Sequence, residues 1–214
     1  LRQTLTLTAL ALGLAAPALA EDLTIGLATA QTGGLAPYDQ PTLAGFQMRV
    51  DEINAAGGIA GKYPIKLIAK DTRSDSAQTA LVAQELVDAG VQIVITPCDA
   101  DPSIAAGMIT QAAGIPAFSF CASTPTLPLA VGDYMFSNYP ADNVQATMLA
   151  NYALEQGYKS AYILTSPDTA YTLKLPEYFG QVFTAKGGTL LGEGTFAMGQ
   201  QDFSAEVTKI AAMD

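Results

Sequence analysis

An apolar run of strand length, Leu23-Thr24-Ile25-Gly26-Leu27-Ala28-Thr29, is ended by the pair Gly33-Gly34. Apolar residues then recur every three or four positions between Pro41 and Gly57-Gly58, which predicts a helix. A second apolar run over residues 65–69 predicts the next strand. Strands that alternate with helices of this length indicate a parallel sheet covered by helices on both faces.

The same alternation continues outward along the chain. It predicts further strands over 91–95, 117–120 and 134–137 and helices over 75–89 and 102–113. After Asn138 a second series predicts helices over 141–156, 173–185 and 203–212 and strands over 160–165 and 189–195. We therefore expect an α/β protein with two sheets. The second series has only two strands, too few for an independently stable sheet, so we expect an incomplete second lobe.

The first twenty residues have a different character. Arg2 precedes an apolar stretch that ends in Pro17-Ala18-Leu19-Ala20, which is typical of a secretory signal peptide. A membrane anchor is the alternative, but the run is short for a hydrocarbon core about 30 Å thick. The predicted organisation is a signal peptide over 1–20, a ligand-binding lobe over 21–139 and an incomplete second lobe over 140–214. Without a cysteine after the apolar run, we expect an exported, soluble protein that carries no lipid anchor.

Composition excludes several classes of function. The formal net charge is −10, so nucleic acid and anionic membranes are disfavoured as partners. The chain has no histidine, which removes Ser-His-Asp catalysis and histidine-rich zinc sites. Two cysteines are too few for a zinc cage, and there is neither a Walker phosphate loop nor a dinucleotide-binding glycine motif. We expect no cofactor, no metal and no enzymatic activity.

Candidate ligand-binding residues follow the strand ends, because open parallel sheets bind ligands there. Four loops qualify: 31–38, 96–103, 121–125 and 165–171. Loop N–H groups and the Ser123 hydroxyl would suit a ligand carboxylate, and Asp99 or a tyrosine face would suit an ammonium. Structural alternatives remain open, since Asp101 before Pro102 is also a good helix N-cap and Gly33-Gly34 can simply turn the chain.

Cys98 and Cys121 end the third and fourth predicted strands. If those strands are neighbours in the sheet, the two residues lie within disulfide range beside the ligand cleft. The alternative is a pair of small buried thiols.

The segment Asp51-Glu52-Ile53-Asn54-Ala55-Ala56-Gly57-Gly58-Ile59-Ala60-Gly61, together with Thr32–Tyr38 and Glu21–Gly26, resembles the type I periplasmic binding proteins. Within them it is most similar to the Leu/Ile/Val-binding proteins of ABC transporters. The resemblance extends from Glu21 to the end of the chain. It implies two α/β lobes that close on a ligand, and a monomer that delivers the ligand to a membrane permease in the periplasm.

The resemblance also implies ligand contacts. They are Tyr38, the loop residues Asp99, Ala100 and Asp101, the segment Cys121, Ala122 and Ser123, and Asp168 and Tyr171 of the second lobe. Two departures stand out. Asp99, Ala100 and Asp101 replace the serine hydroxyls expected for a ligand carboxylate, and Ser74 replaces the usual disulfide partner of Cys98. Cys121 is then the only available partner, and a ligand with an additional amino, amide or hydroxyl group becomes as plausible as leucine.

Three functions follow from these observations. The leading one is capture of an amino-acid-like solute for an ABC transporter. A ligand sensor with the same fold is the alternative, because lobe closure could also signal to a receptor or regulator. An exported α/β enzyme is the least favoured, since the residues for its chemistry are missing.

Overall fold

The computed structural model describes residues 22–213, so the predicted signal peptide over 1–20 lies outside the described residues. Within them, seven strands alternate with seven helices. The strands are β1 (Leu23–Thr29), β2 (Ile65–Asp71), β3 (Ile93–Thr96), β4 (Ala117–Ser119), β5 (Met135–Ser137), β6 (Ser160–Thr165) and β7 (Thr189–Thr195). The helices are α1 (Ala36–Ala55), α2 (Ser76–Asp88), α3 (Ala100–Ala112), α4 (Leu127–Val131), α5 (Asp142–Glu155), α6 (Ala170–Ala185) and α7 (Ser204–Ala211).

Two parallel sheets form, as the sequence predicts. The first has the order β2-β1-β3-β4-β5, and the second consists of β6 beside β7. The register in the first sheet pairs Gly26 with Val94 and Thr96 with Ser119. Because every pairing is parallel, the carboxyl ends of all five strands meet at one edge of the sheet. The prediction of an α/β fold is confirmed.

The core of the first sheet is apolar and closely packed. One cluster joins Leu86 and Val82 of α2 to Val94 of β3, and Leu86 has no exposed surface. A Cβ atom added to Gly26 would lie 3.1 Å from the Leu86 side chain, so this glycine allows α2 to approach the sheet closely. A second cluster, around Ala117, Leu127 and Met135, packs at the β4–β5 end of the sheet.

The backbone conformation after α1 explains why the segment 51–61 contains the glycine pair Gly57-Gly58. Gly57 and Gly58 adopt φ values of +100° and +83°, which side chains rarely adopt. A Cβ atom on Gly58 would also lie 2.5 Å from the carbonyl oxygen of Tyr63, which is part of a backbone bridge to Ile59. The pair therefore ends α1 and folds the chain back tightly toward β2.

The predicted start of α1 was wrong by five residues. The helix begins at Ala36, with Pro37 in its first turn and Pro41 inside it. Proline removes the N–H that would bond the carbonyl of Pro37. Both prolines are exposed, so water can satisfy that carbonyl and the helix continues.

Two further boundaries differ around the strand ends. The sequence treats the segment with Pro125 and Pro128 as a loop, but Pro128 lies in the first turn of the short helix α4. Helix α6 begins at Ala170, three residues earlier than predicted, because Thr169 caps it by accepting the N–H of Thr172. Among the described residues, no helix is long and apolar enough to cross a membrane.

Candidate functional site

A cleft of about 260 Å³ lies at the carboxyl ends of strands from both sheets. Lining residues before position 140, which follow β1, β3, β4 and β5, form one wall, and lining residues from Asp142 onward form the other. Its lining comprises Leu35, Tyr38, Cys98, Asp99, Ala100, Cys121, Ala122, Ser123, Thr124, Tyr139, Asp142, Thr169, Tyr171, Thr172 and Met198. The strand-end rule applied to the sequence therefore leads to one cavity.

The structure brings seven of the nine candidate residues into this lining: Tyr38, Asp99, Ala100, Cys121, Ala122, Ser123 and Tyr171. The other two, Asp101 and Asp168, are outside it. Asp101 is exposed in the first turn of α3. Asp168 reaches the cleft only indirectly, because its Oδ2 accepts the N–H of Met198 at 2.6 Å and so holds that lining residue.

The N-cap of α3 is Asp99, so the interpretation of Asp101 as the cap was wrong. Asp99 has an extended backbone, with φ −148° and ψ 160°, and its Oδ1 accepts the N–H of Ala100 at 2.7 Å. Helix α3 therefore begins two residues before Pro102, the predicted start. The cap carries its carboxylate into the cleft wall, where burial, and then the nearby charges of Asp101 and Asp142, raise its pKa.

Behind this wall lies Asp39, which sequence reasoning missed. It has no exposed surface and joins two loops: its Oδ2 accepts the N–H of Ala30 at 2.6 Å and its Oδ1 accepts the N–H of Cys98 at 3.0 Å. Burial raises the pKa of Asp39 and these hydrogen bonds oppose the rise. A buried carboxylate that bonds two backbone donors fixes the loop after β1 against the loop after β3.

The loop after β4 is held by Ser119, whose Oγ accepts the N–H of Ala122 at 2.8 Å. This bond turns Ser123 toward the start of α5, where the N–H of Asp142 donates to the Ser123 carbonyl at 2.8 Å. Ser123 is buried and lines the cleft, and its side chain hydrogen-bonds the carboxyl group of Asp142. The loop therefore places Ser123 in the cavity wall on a backbone fixed from both sides.

Asp142 is the most informative residue that the sequence prediction missed. It is 2% exposed, and its Oδ1 is buried without a hydrogen-bond partner among residues 22–213. Burial raises its pKa, while a hydrogen bond from the Ser123 side chain acts in the opposite direction. A buried carboxylate oxygen without a donor is costly, and because Asp142 also lines the cavity, a bound ligand could supply that donor.

The second sheet contributes an aromatic and hydroxyl wall. Tyr171 donates its O–H to Oε1 of Gln145 at 3.3 Å, and burial, with smaller contributions from Tyr139 and Asp142, raises its pKa. Thr169 caps α6 through its Oγ1, which places it and Thr172 at the cavity. Among the lining residues of this wall in the described part of the chain, Asp142 is the one carboxylate.

The two cysteines lie at the floor of the cleft on adjacent strand ends. The structure bridges Cys98 and Cys121 as a disulfide, with their Cα atoms 4.6 Å apart. Ser74 bonds elsewhere: its Oγ donates to the Thr32 carbonyl at 2.7 Å and accepts the N–H of Leu35 at 2.9 Å. Ser74 thus positions the loop that carries Leu35 to the cavity.

The other lining residues are Leu35, Thr124, Tyr139, Thr169, Thr172 and Met198. Leu35, Thr124 and Thr169 lie within the predicted strand-end loops. The same strand-end rule, extended to the fifth and seventh strands, also indicates Tyr139, Asp142 and Met198.

Comparison with known proteins identifies relatives along nearly the whole described chain. A Leu/Ile/Val-binding protein of Rhizobium johnstonii is 29% identical over 208 residues, covering 97% of this chain and 56% of the relative. An amino acid binding protein of Pseudomonas aeruginosa is 31% identical over 205 residues, covering 94% of this chain and 54% of the relative. The chain thus spans about half the length of these curated relatives.

Solved structures agree with the sequence relatives. The branched-chain amino acid transporter substrate-binding protein of Streptococcus pneumoniae, solved in complex with isoleucine, superposes with a TM-score of 0.80 at 32% identity. That alignment covers 90% of this chain and 55% of the other. In addition, the family described as periplasmic binding protein matches residues 22–214. The chain therefore belongs to the periplasmic binding protein family.

Proposed function

We propose that the protein captures an amino-acid-like solute in this cleft and delivers it to the membrane permease of an ABC transporter. The observation that carries the proposal is the pairing in one cavity of the Ser123 loop with Asp142, whose carboxylate Oδ1 has no hydrogen-bond partner within residues 22–213. An amino acid has complementary groups, a carboxylate that accepts hydrogen bonds and an ammonium that donates them. No chemical change of the ligand is part of the proposal.

The two walls suggest how capture would work. Residues over 21–139 would form one lobe and residues over 140–214 part of a second, with the cleft between them. A ligand that bonds Ser123 on one wall and meets Tyr171 on the other would favour a closed arrangement, because it contacts both lobes at once. Closure would also remove water from the hydrogen bonds, which strengthens them.

Relatives support the choice of ligand class. The curated proteins named above are a Leu/Ile/Val-binding protein and an amino acid binding protein, and the solved neighbour holds isoleucine. A transporter role places the protein in the periplasm, with the signal peptide predicted over 1–20 as the means of export. We further propose that it acts as a monomer and has no nucleic acid partner.

The experiment is calorimetric titration of the full-length protein with a panel of amino acids. Ser123→Ala and Asp142→Asn should each weaken binding by about 1–3 kcal/mol, because the first removes a hydroxyl and the second removes the negative charge that attracts the ligand ammonium. In Kd this corresponds to roughly a 5- to 150-fold increase.

Matched controls are Ser160→Ala and Asp133→Asn, which change the same residue types at exposed positions outside the cleft. Both controls should keep the affinity of the unchanged protein. Absence of binding to every amino acid in the panel would contradict the proposal, and so would equal losses in the cleft variants and the controls.

A further inference from the structure

At the N-terminus of α3, the chain's own Asp99 carboxylate accepts the N–H of Ala100. Backbone N–H groups at the start of a helix attract anions, and in this cleft they would be the natural position for a ligand carboxylate. Oδ1 of Asp99 already accepts the N–H of Ala100, and Pro102 has no N–H to offer. A second anion beside Asp99 would be repelled. This part of the cleft therefore disfavours a ligand carboxylate.

The charge of the cavity lining also disfavours an anionic ligand. Asp99 and Asp142 both line the cavity, and no lysine or arginine is among the lining residues in the part of the chain that the structure describes. The Ala100 N–H bonds Oδ1 of Asp99, and within residues 22–213 Oδ2 has no hydrogen-bond partner. Buried Asp39 adds a third carboxylate directly behind the wall. A zwitterion with one ammonium leaves such a cavity with uncompensated negative charge.

Asp142 provides an independent observation that a donor is missing. Its Oδ1 is buried and has no hydrogen-bond partner within residues 22–213, whereas both oxygens of Asp39, which is also buried, accept backbone N–H groups. The two buried carboxylates differ in that Asp142 lines the cavity and Asp39 does not. The donor for Asp142 would therefore come from the ligand.

We propose that this cleft prefers amino compounds of net positive charge, such as diamino acids, over leucine or isoleucine. One cationic nitrogen of the ligand bonds Asp142 and a second meets Asp99, while a ligand carboxylate, where present, stays on the Ser123 side. The inference rests on the proposed function, since it names the ligand class of the same site. Asp99 is then the specificity-determining residue.

The test is titration of the full-length protein at pH 7 with lysine, ornithine, leucine and isoleucine. Lysine or ornithine should bind at least tenfold more tightly than leucine. Asp99→Asn should remove most of that preference, because it deletes one charge while asparagine remains a good N-cap for α3. The control is Asp101→Asn. Asp101 lies two positions after Asp99, is exposed and does not line the cleft, so its loss of charge should preserve the preference.

The outcomes separate the two proposals. Tighter binding of leucine or isoleucine than of either diamino acid would overturn the cationic preference and leave amino acid capture standing. Absence of binding to all four compounds would overturn both. A cationic preference that survives Asp99→Asn, with the variant folded by circular dichroism, would refute the role of Asp99 in selecting the ligand.

Discussion

The two sheets differ in how completely they bury their strands. In β1 the last four residues are buried, and Leu86 of α2 packs against Val94 of β3, both with no exposed surface. In β7 buried residues are absent, partly exposed and exposed positions alternate along the strand, and α7 has no buried residue. The first sheet is thus a complete hydrophobic core within the described residues, whereas the second is only partly covered.

The same division applies to the two walls of the cleft. The wall from the first sheet supplies a loop and a helix start fixed by buried hydrogen bonds, through Asp39 and Ser119. The second wall supplies Tyr171 and Thr172 from a less buried helix. The comparison teaches that the geometry of the site, and much of the stability, should come from the first sheet.

Truncating one leucine in each half of the molecule tests the difference in burial between the two sheets, with the largest expected effect on stability. Leu86→Ala should lower the free energy of unfolding by about 4 kcal/mol, because it leaves a cavity in a fully packed core. Leu164→Ala in β6 should lower it by only about 1 kcal/mol, because that side chain is partly exposed. Urea denaturation of the full-length protein measures both, and equal losses would remove the distinction between the sheets.

The disulfide of the first sheet is the next largest contribution. Replacing Cys98 and Cys121 together by serine should lower the free energy of unfolding by about 3 kcal/mol, since the bridge closes a loop with a sequence separation of 23. Urea midpoints with and without reductant measure the effect. The double variant should not respond to reductant, and a response equal to that of the unchanged protein would show that the bridge is not the cause.

The carboxylates of the first wall predict a pH dependence of stability. The pKa of Asp99 is raised in the folded protein by burial and by Asp101 and Asp142, and that of Asp39 is raised by burial. The folded protein therefore holds these protons more tightly than the unfolded chain. Their contribution to the free energy of unfolding is stabilising at low pH, and it is lost as the pH rises through the raised pKa values of the folded protein.

Asp99→Asn removes one of these groups and isolates its share. Without ligand, the variant should have a higher Tm than the unchanged protein at pH 7, and the difference should shrink toward pH 4, near the usual carboxyl pKa of 3.8. Thermal denaturation across this range measures the difference. Asp133→Asn, at an exposed position, should not show this shrinking difference, and a constant gain for Asp99→Asn would contradict the assignment.

The smallest effect is expected on the second wall. Tyr171→Phe removes the hydrogen bond to Gln145 and keeps the ring, so the free energy of unfolding should fall by about 0.5 kcal/mol. Tyr158→Phe, an exposed tyrosine outside the cleft, is the matched control and should have no effect. A loss above about 2 kcal/mol for Tyr171→Phe would indicate that this wall contributes far more to stability than its exposure suggests.

Much of this protein could be read from residue order alone. Continuous apolar runs determined the strands and the 3.6-residue period determined most helices, because both are local properties of the sequence. It failed at Pro41 and Asp99, where helix boundaries depend on whether a carbonyl reaches water and on which carboxylate turns toward a free N–H. Those choices depend on the exposure and orientation of single groups, which periodicity does not report.

The sequence by itself determined the element types, the parallel alternation and the family motif with Gly57-Gly58, since each depends on neighbouring residues along the chain. Only the tertiary structure decided which strand ends meet. As a result, Asp142 shares a cavity with Asp99 although 43 positions separate them. The tertiary structure also decided that Asp101 lies outside that cavity. The physical reason is that charge interactions and desolvation depend on distance in space, which local sequence patterns do not contain.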